Sequence, residues 1–371
     1  MSVLETHPSV SAMRRRVIAI VLLAWLPLLL LSALDGKVWG GVDAAFLTDL
    51  EVHIRFLLAV PLLLLAEGVV RRRLAPLLQQ FLVRRLLPEA SIPGFESAVA
   101  TASRLRDSKL AQAVLLVIVY GVGIGVVWRH YGVLDAATWY ATPSAEGRTL
   151  TPAGLWYGGV SLPIVQFLLL RWYWRMAVWA RLLWQISRIP LRLLAAHPDR
   201  FGGLGFLASV GYAYTLLAAA HGALAAGPIA SRIFFAGATL TDFGSQIAGI
   251  VLLVLCLVLG PLLCFTPQLA AAKQAGLLAY GALAERHVRS FEAKWLRDAV
   301  PAEGDLLGSP DVSSQADLGT TCEVVHSMSI TPLSPQVVLP LTMATLAPML
   351  PLVLTLIPLN QLLGKLLGIG L

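Results

Sequence analysis

Leu194-Ala-Ala-His197-Pro198-Asp199-Arg200-Phe201-Gly202-Gly203-Leu204-Gly205 is a polar, glycine-rich break between two long apolar runs. On either side lie stretches too apolar for water, so the break is a junction between helices at the mouth of a membrane bundle. The whole chain repeats this grammar. Of 371 residues, 57% are hydrophobic and only 13% charged, with a mean hydropathy of +0.75. A soluble fold of that composition would expose apolar patches far beyond the few hundred Å² a monomer tolerates.

A spanning helix needs roughly 20 mainly apolar residues. Seven runs qualify: residues 17–34, 48–70, 110–128, 155–170, 204–226, 244–265 and 337–357. Arg14-Arg15-Arg16 before the first of these resembles a signal peptide, but no A-x-A site follows, so the run is read as an uncleaved helix. Seven alternating spans divide the 28 Lys and Arg residues into 22 on the side of the N-terminus and 6 on the other. The positive-inside rule then places the N-terminus in the cytosol and the C-terminus outside. Pro340, Pro348 and Pro351 predict a kinked or broken last span, and Leu359–Leu371 is expected to lie in the interface. The expected fold is therefore all-α: one polytopic membrane bundle, with a cytosolic layer of helices from residues 71–109, 171–203 and 266–336.

Within that layer the fourth span is expected to continue to Arg192, with Arg171, Arg175, Arg181, Arg188 and Arg192 on one basic arc and tryptophans at the interface. An amphipathic helix is expected over 269–298 and another over 312–328. No strand pattern of useful length is visible. The net charge of +7 sits beside apolar runs rather than in a basic domain. It points to the bilayer and its anionic headgroups as partners, and away from nucleic acid. Further copies of the same chain are the other expected partner. Cys256 and Cys264 share one run and Cys322 is remote, so no disulfide framework is implied.

His197, Asp199 and Arg200 at the junction admit two readings. Asp199 either caps the next helix, with the glycines serving a tight turn, or joins His197 in a cytosolic ion or proton site. Ser309-Pro310-Asp311 with Asp317, Glu323 and His326 forms a second polar cluster. If the two Pro-Asp corners converge, His197, Asp199, Asp311, Asp317 and His287 supply enough ligands for a divalent metal. The spacing itself carries no metal motif and no cofactor signature. Within the spans, Glu67 has Arg71 four residues on as its expected partner, and Asp49/His53 and Glu51/Arg55 share that spacing. His221 must find a polar partner such as Tyr212, Tyr214, Thr215 or Gln166 and is expected to face the bundle interior or an aqueous path. His221, Glu67, Gln166 and Tyr214 are thus the candidate pathway residues.

The signatures HPDRFGGLGFL (197–207) and LGSPDVSSQADLG (307–319), with the proline-rich last span after them, resemble a group of bacterial multi-spanning membrane proteins. The likeness covers the C-terminal half and implies a bacterial inner-membrane location but no activity. An ion or small-solute channel or transporter is the expected function, a lipid- or protein-binding scaffold the alternative. A membrane hydrolase or transferase would require His197, Asp199 and Asp311 to gather around one cavity.

Overall fold

In the computed structural model, residues 10–42, 44–123, 125, 138–144, 147–297, 309–333 and 335–356 are described. They are almost wholly helical. In chain order the helices are α1 (Val10–Leu34), α2 (Leu50–Val83), α3 (Ile92–Arg106), α4 (Lys109–Ile118), α5 (Pro152–Ile186), α6 (Thr215–Ala236), α7 (Leu240–Leu296), α8 (Pro310–His326) and α9 (Pro335–Val353). Six of these, α1, α2, α5, α6, α7 and α9, are long and apolar enough to cross a membrane. The chain is built as a multi-pass membrane protein.

Several expected boundaries move. The fifth run shifts from 204–226 to Thr215–Ala236, because Leu204, Leu207, Val210 and Ala213 are apolar to fill the core from a short, irregular segment. The fourth helix stops at Ile186, since Ile189-Pro190 leads the chain into a loop. The sixth run does not end at Phe265. It passes through a tight 3₁₀ turn at Gly260–Phe265, where Pro261 withholds its N–H, and carries on as one 57-residue element. The apolar helix of the third run is described only as Lys109–Val122. The last helix is broken as its prolines require, by a 3₁₀ turn at Ala347–Met349, while residues 357–371 lie outside the described part. One short strand pair is present, Ala141–Ser144 antiparallel to Gly147–Leu150, too short to leave an alternating pattern in the sequence.

α6 is the central packing element. It lies against α2 at one glycine and α9 at another. A Cβ on Gly222 would lie 1.9 Å from the Thr345 carbonyl oxygen, and one on Gly227 would lie 3.1 Å from the Glu51 Cα. Small residues at these points let backbones touch, which is how helices gain contact where lipid gives no hydrophobic drive between them.

Candidate functional site: an arginine-walled cavity

Glu67 is the hub of the largest ionic cluster among the described residues. It lies on the buried side of α2 with its side chain 14% exposed, and faces α1 and α5. Arg175 reaches it at 2.7 Å, Arg171 at 3.3 Å and Arg16 at 3.7 Å. Arg71, the partner expected from spacing, is not bonded to it. The i,i+4 geometry only permits that pair, and two guanidinium groups already approach the carboxylate from α5. The predicted basic arc is likewise corrected: Arg171 and Arg175 turn inward, Arg181 is exposed, and Arg188 and Arg192, also exposed, lie past the end of α5. The tryptophans follow them into the core. Trp172 donates to the Leu63 carbonyl at 3.0 Å, Trp174 to the Leu105 carbonyl at 3.1 Å, and only Trp184 is mostly exposed. The spacing of Trp172, Arg175 and Trp179, three and four residues apart, was the signal that this face is buried.

Beside the cluster, α2, α3 and α5 enclose a cavity of about 120 Å³. Glu67 and Arg71 from α2, Arg106 from α3 and Arg175 from α5 line it at one level. Leu74, Leu78, Val99, Val178 and Leu182 line it on the other side of those charges, and Tyr214 closes it from the junction before α6. Arg175 also lies over the Trp172 ring, 5.6 Å from its centroid. Asp107 is chelated by Arg106 through two hydrogen bonds of 3.0 and 2.6 Å, which hold its carboxyl below the usual carboxylate range; Arg71 and Arg175 add to the effect. Five guanidinium groups therefore surround two carboxylates. Two donors here are buried without acceptors, the Arg175 Nε–H and the Trp179 indole N–H, and half-buried Arg71 makes no hydrogen bond or ion pair.

The remaining pathway candidates lie apart from this cavity, except Tyr214. His221 is 8% exposed and faces the bundle interior. Its partners are not the four residues expected: Nδ1 meets the Leu217 carbonyl at 2.8 Å and Nε2 meets the Tyr173 hydroxyl at 3.1 Å. Both ring nitrogens are satisfied, as a packed histidine's must be. Gln166 on α5 keeps a buried carbonyl oxygen with no partner. At the far end of α2, Glu51 pairs with Arg55, which also reaches Tyr157. Asp49 and His53 do not pair. Asp49 accepts from Trp139 at 2.9 Å and His53 from Trp25 at 3.0 Å.

The polar junction resolves into a turn. The Asp199 carboxylate accepts the backbone N–H groups of Phe201, Gly203 and Gly205 at 2.8, 3.1 and 2.9 Å, and His197 Nδ1 lies 2.9 Å from it. The chain wraps this carboxylate by taking left-handed backbone angles at Arg200, Gly202 and Gly203. Arg200 itself is exposed, and its carbonyl accepts the Ser329 N–H at 2.8 Å.

The two Pro-Asp corners do not meet. Gly202 packs by Leu269 near the middle of α7, whereas Asp311 bonds Lys294 and Trp295 at the end of α7. Those points are 25 residues apart, about 37 Å along a helix. Lys294 and Trp295 hold the Asp311 carboxyl below its ordinary range, and Asp317 is exposed on α8. No group of three metal-ligating side chains forms among the described residues, so the convergence that a divalent metal or the hydrolase reading required is not realised. Compared with protein-family models, curated proteins and solved structures, the chain matches none.

Proposed function

We propose that this protein is a membrane transport protein, a channel or carrier for a small anionic solute, working through the cavity at Glu67. The observation that carries the reading is a cluster of one carboxylate and three arginines held between spanning helices beside an open volume. Charge inside a bundle is costly and is found where substrates or ions pass. The excess of arginine sets the sign of the solute, as rings of Arg and Lys do in anion pores.

The membrane position that supports this runs between two polar bands. On α2, Glu51 precedes Glu67 by 16 residues, about 24 Å of helix. On α5, Tyr157 precedes Arg171 by 14 residues, about 21 Å. A hydrocarbon core of roughly 30 Å fits with its edges near these bands. In this reading the arginine band faces the cytosol, the N-terminus is cytosolic, and Lys109–Val122 belongs to a seventh crossing. Residues 71–109, the end of α5 and the α7–α8 arm form the cytosolic layer.

Purified protein in liposomes is expected to release a trapped small anion faster than protein-free vesicles, and a cation no faster. Equal release from both kinds of vesicle, for every anion tried, would reject the reading. A second reading, a scaffold that binds a cytosolic partner, is favoured by the arm formed by α7 and α8. That arm leaves Leu278, Leu283, Leu296 and Val312 exposed.

A further inference from the structure

The charges and most of the apolar walls of the cavity are segregated. Arg71, Arg106 and Arg175 sit at one level of α2, α3 and α5, and most of the aliphatic lining lies about one to two turns to one side of them: Leu74 and Leu78 follow Arg71, Leu182 follows Arg175, and Val99 precedes Arg106, while Val70 and Trp172 border the charges on the near side. Counted from the second polar band, on α2 and α5 the apolar part lies beyond the arginines. A bilayer phospholipid whose phosphate sat at those arginines would need its chains to run the other way, into the membrane. The fit is therefore to a short molecule with an anionic head and a compact apolar body, entering with the head toward the bundle. The volume agrees: about 120 Å³ is of the order of the roughly 150 Å³ engineered cavity that holds benzene.

From this juxtaposition of unpartnered donors and apolar walls, we infer that the cavity binds a small amphipathic organic anion, a carboxylate or phosphate carried on a body of about benzene's size. The head takes the half-buried Arg71 guanidinium, which has no hydrogen bond or ion pair of its own, together with the Arg175 Nε–H and the Trp179 indole N–H, which are buried without acceptors, the last on a residue 7% exposed. A guanidinium presents two parallel N–H groups to two oxygens, which suits either head. Glu67 already pairs with Arg16, Arg171 and Arg175, and Asp107 with Arg106, so the ligand adds to the network instead of replacing it. The inference rests on the cavity being the substrate site of the proposed transport, but it is tested by binding, which flux does not decide.

The probes are phenyl phosphate and benzoate, with benzyl alcohol as the neutral isostere and inorganic phosphate as the head alone. Binding is measured by calorimetry on the full chain, in detergent and again in nanodiscs with and without anionic phospholipid. Phenyl phosphate and benzoate are expected to bind, the alcohol and inorganic phosphate at least tenfold more weakly, and anionic lipid to leave the affinity unchanged. Arg71→Gln should weaken binding roughly 10- to 100-fold, the scale of a lost charge-assisted hydrogen bond. Trp179→Phe should weaken it less, and Arg73→Gln, exposed and outside the cavity, not at all. Thermal unfolding of the unliganded variants shows whether each is folded. Equal affinity for inorganic phosphate, competition by anionic lipid, or full binding by folded Arg71→Gln each overturns the inference. Binding without flux overturns only the transport reading, and flux of another anion without binding overturns only this one.

Discussion

At the scale of single residues, the cluster at Glu67 has an uneven energy. Glu67, Arg175 and Arg171 have side chains 14%, 13% and 19% exposed, whereas Arg16 is 44% exposed. Removing one member of a buried ion pair leaves the other charge uncompensated and costs about 3–5 kcal/mol. Glu67→Ala is therefore expected to destabilise the bundle by about that much, while Arg16→Gln, at the exposed edge of the cluster and 3.7 Å from the carboxylate, costs about 0–1 kcal/mol. Unfolding in a mild detergent checks both, and equal effects would show that the cluster is not buried. This hub was only half legible in the sequence. Glu67 stood out as an acid in an apolar run, but its partners come from 104 and 108 residues away, and no spacing rule reports a contact across helices. The local candidate, Arg71, was the nearest base and the wrong one. The turn at Asp199 was more legible, because Asp, Gly-Gly and Gly within seven residues is a composition that backbone geometry itself demands.

At the scale of elements, hydropathy located the helices but not their ends. A window of apolar residues reports burial in either lipid or protein, and within 204–213 it is Leu204, Leu207, Val210 and Ala213 that are buried in protein. The true α6 is instead rich in Ala and Gly, which lowers its hydropathy while allowing the close approach to α9. That approach gives a sharp contrast between glycines. At Gly222 a methyl group would meet the Thr345 backbone oxygen, which cannot rotate away, so α6 and α9 must separate. Gly222→Ala is expected to cost at least about 1–3 kcal/mol, the scale of overpacking. Gly249, in α7, has nothing within 4 Å of its would-be Cβ. Gly249→Ala should be neutral or stabilise by up to about 1 kcal/mol through helix propensity. Thermal midpoints of the two variants with opposite signs support the packing, and a tolerated Gly222→Ala argues against it.

At the scale of the whole molecule, α7 ties the proposed topology together. Its first half is among the most apolar stretches of the chain, yet its second half carries Arg286, Arg289 and Lys294 and pairs with α8 as an exposed two-helix arm. A helix of 57 residues is about 85 Å long, nearly three times the hydrocarbon thickness. One end must therefore stand clear of the bilayer, and in the proposed orientation, which follows the 22-to-6 division of basic residues, that end lies in the cytosol. The assignment predicts which positions a membrane-impermeant thiol reagent can reach. In a variant lacking Cys256, Cys264 and Cys322, a cysteine at exposed Thr320 on α8 should react only after the cells are opened. A cysteine at Gly237, the left-handed residue that ends α6 with open space around it, should react in intact cells. The reverse pattern would invert the protein in the membrane and place the Glu67 cavity at the outer face. Labelling of both positions from one side would mean that α7 does not cross, and the two polar bands on α2 and α5 would then mark something other than the edges of a bilayer.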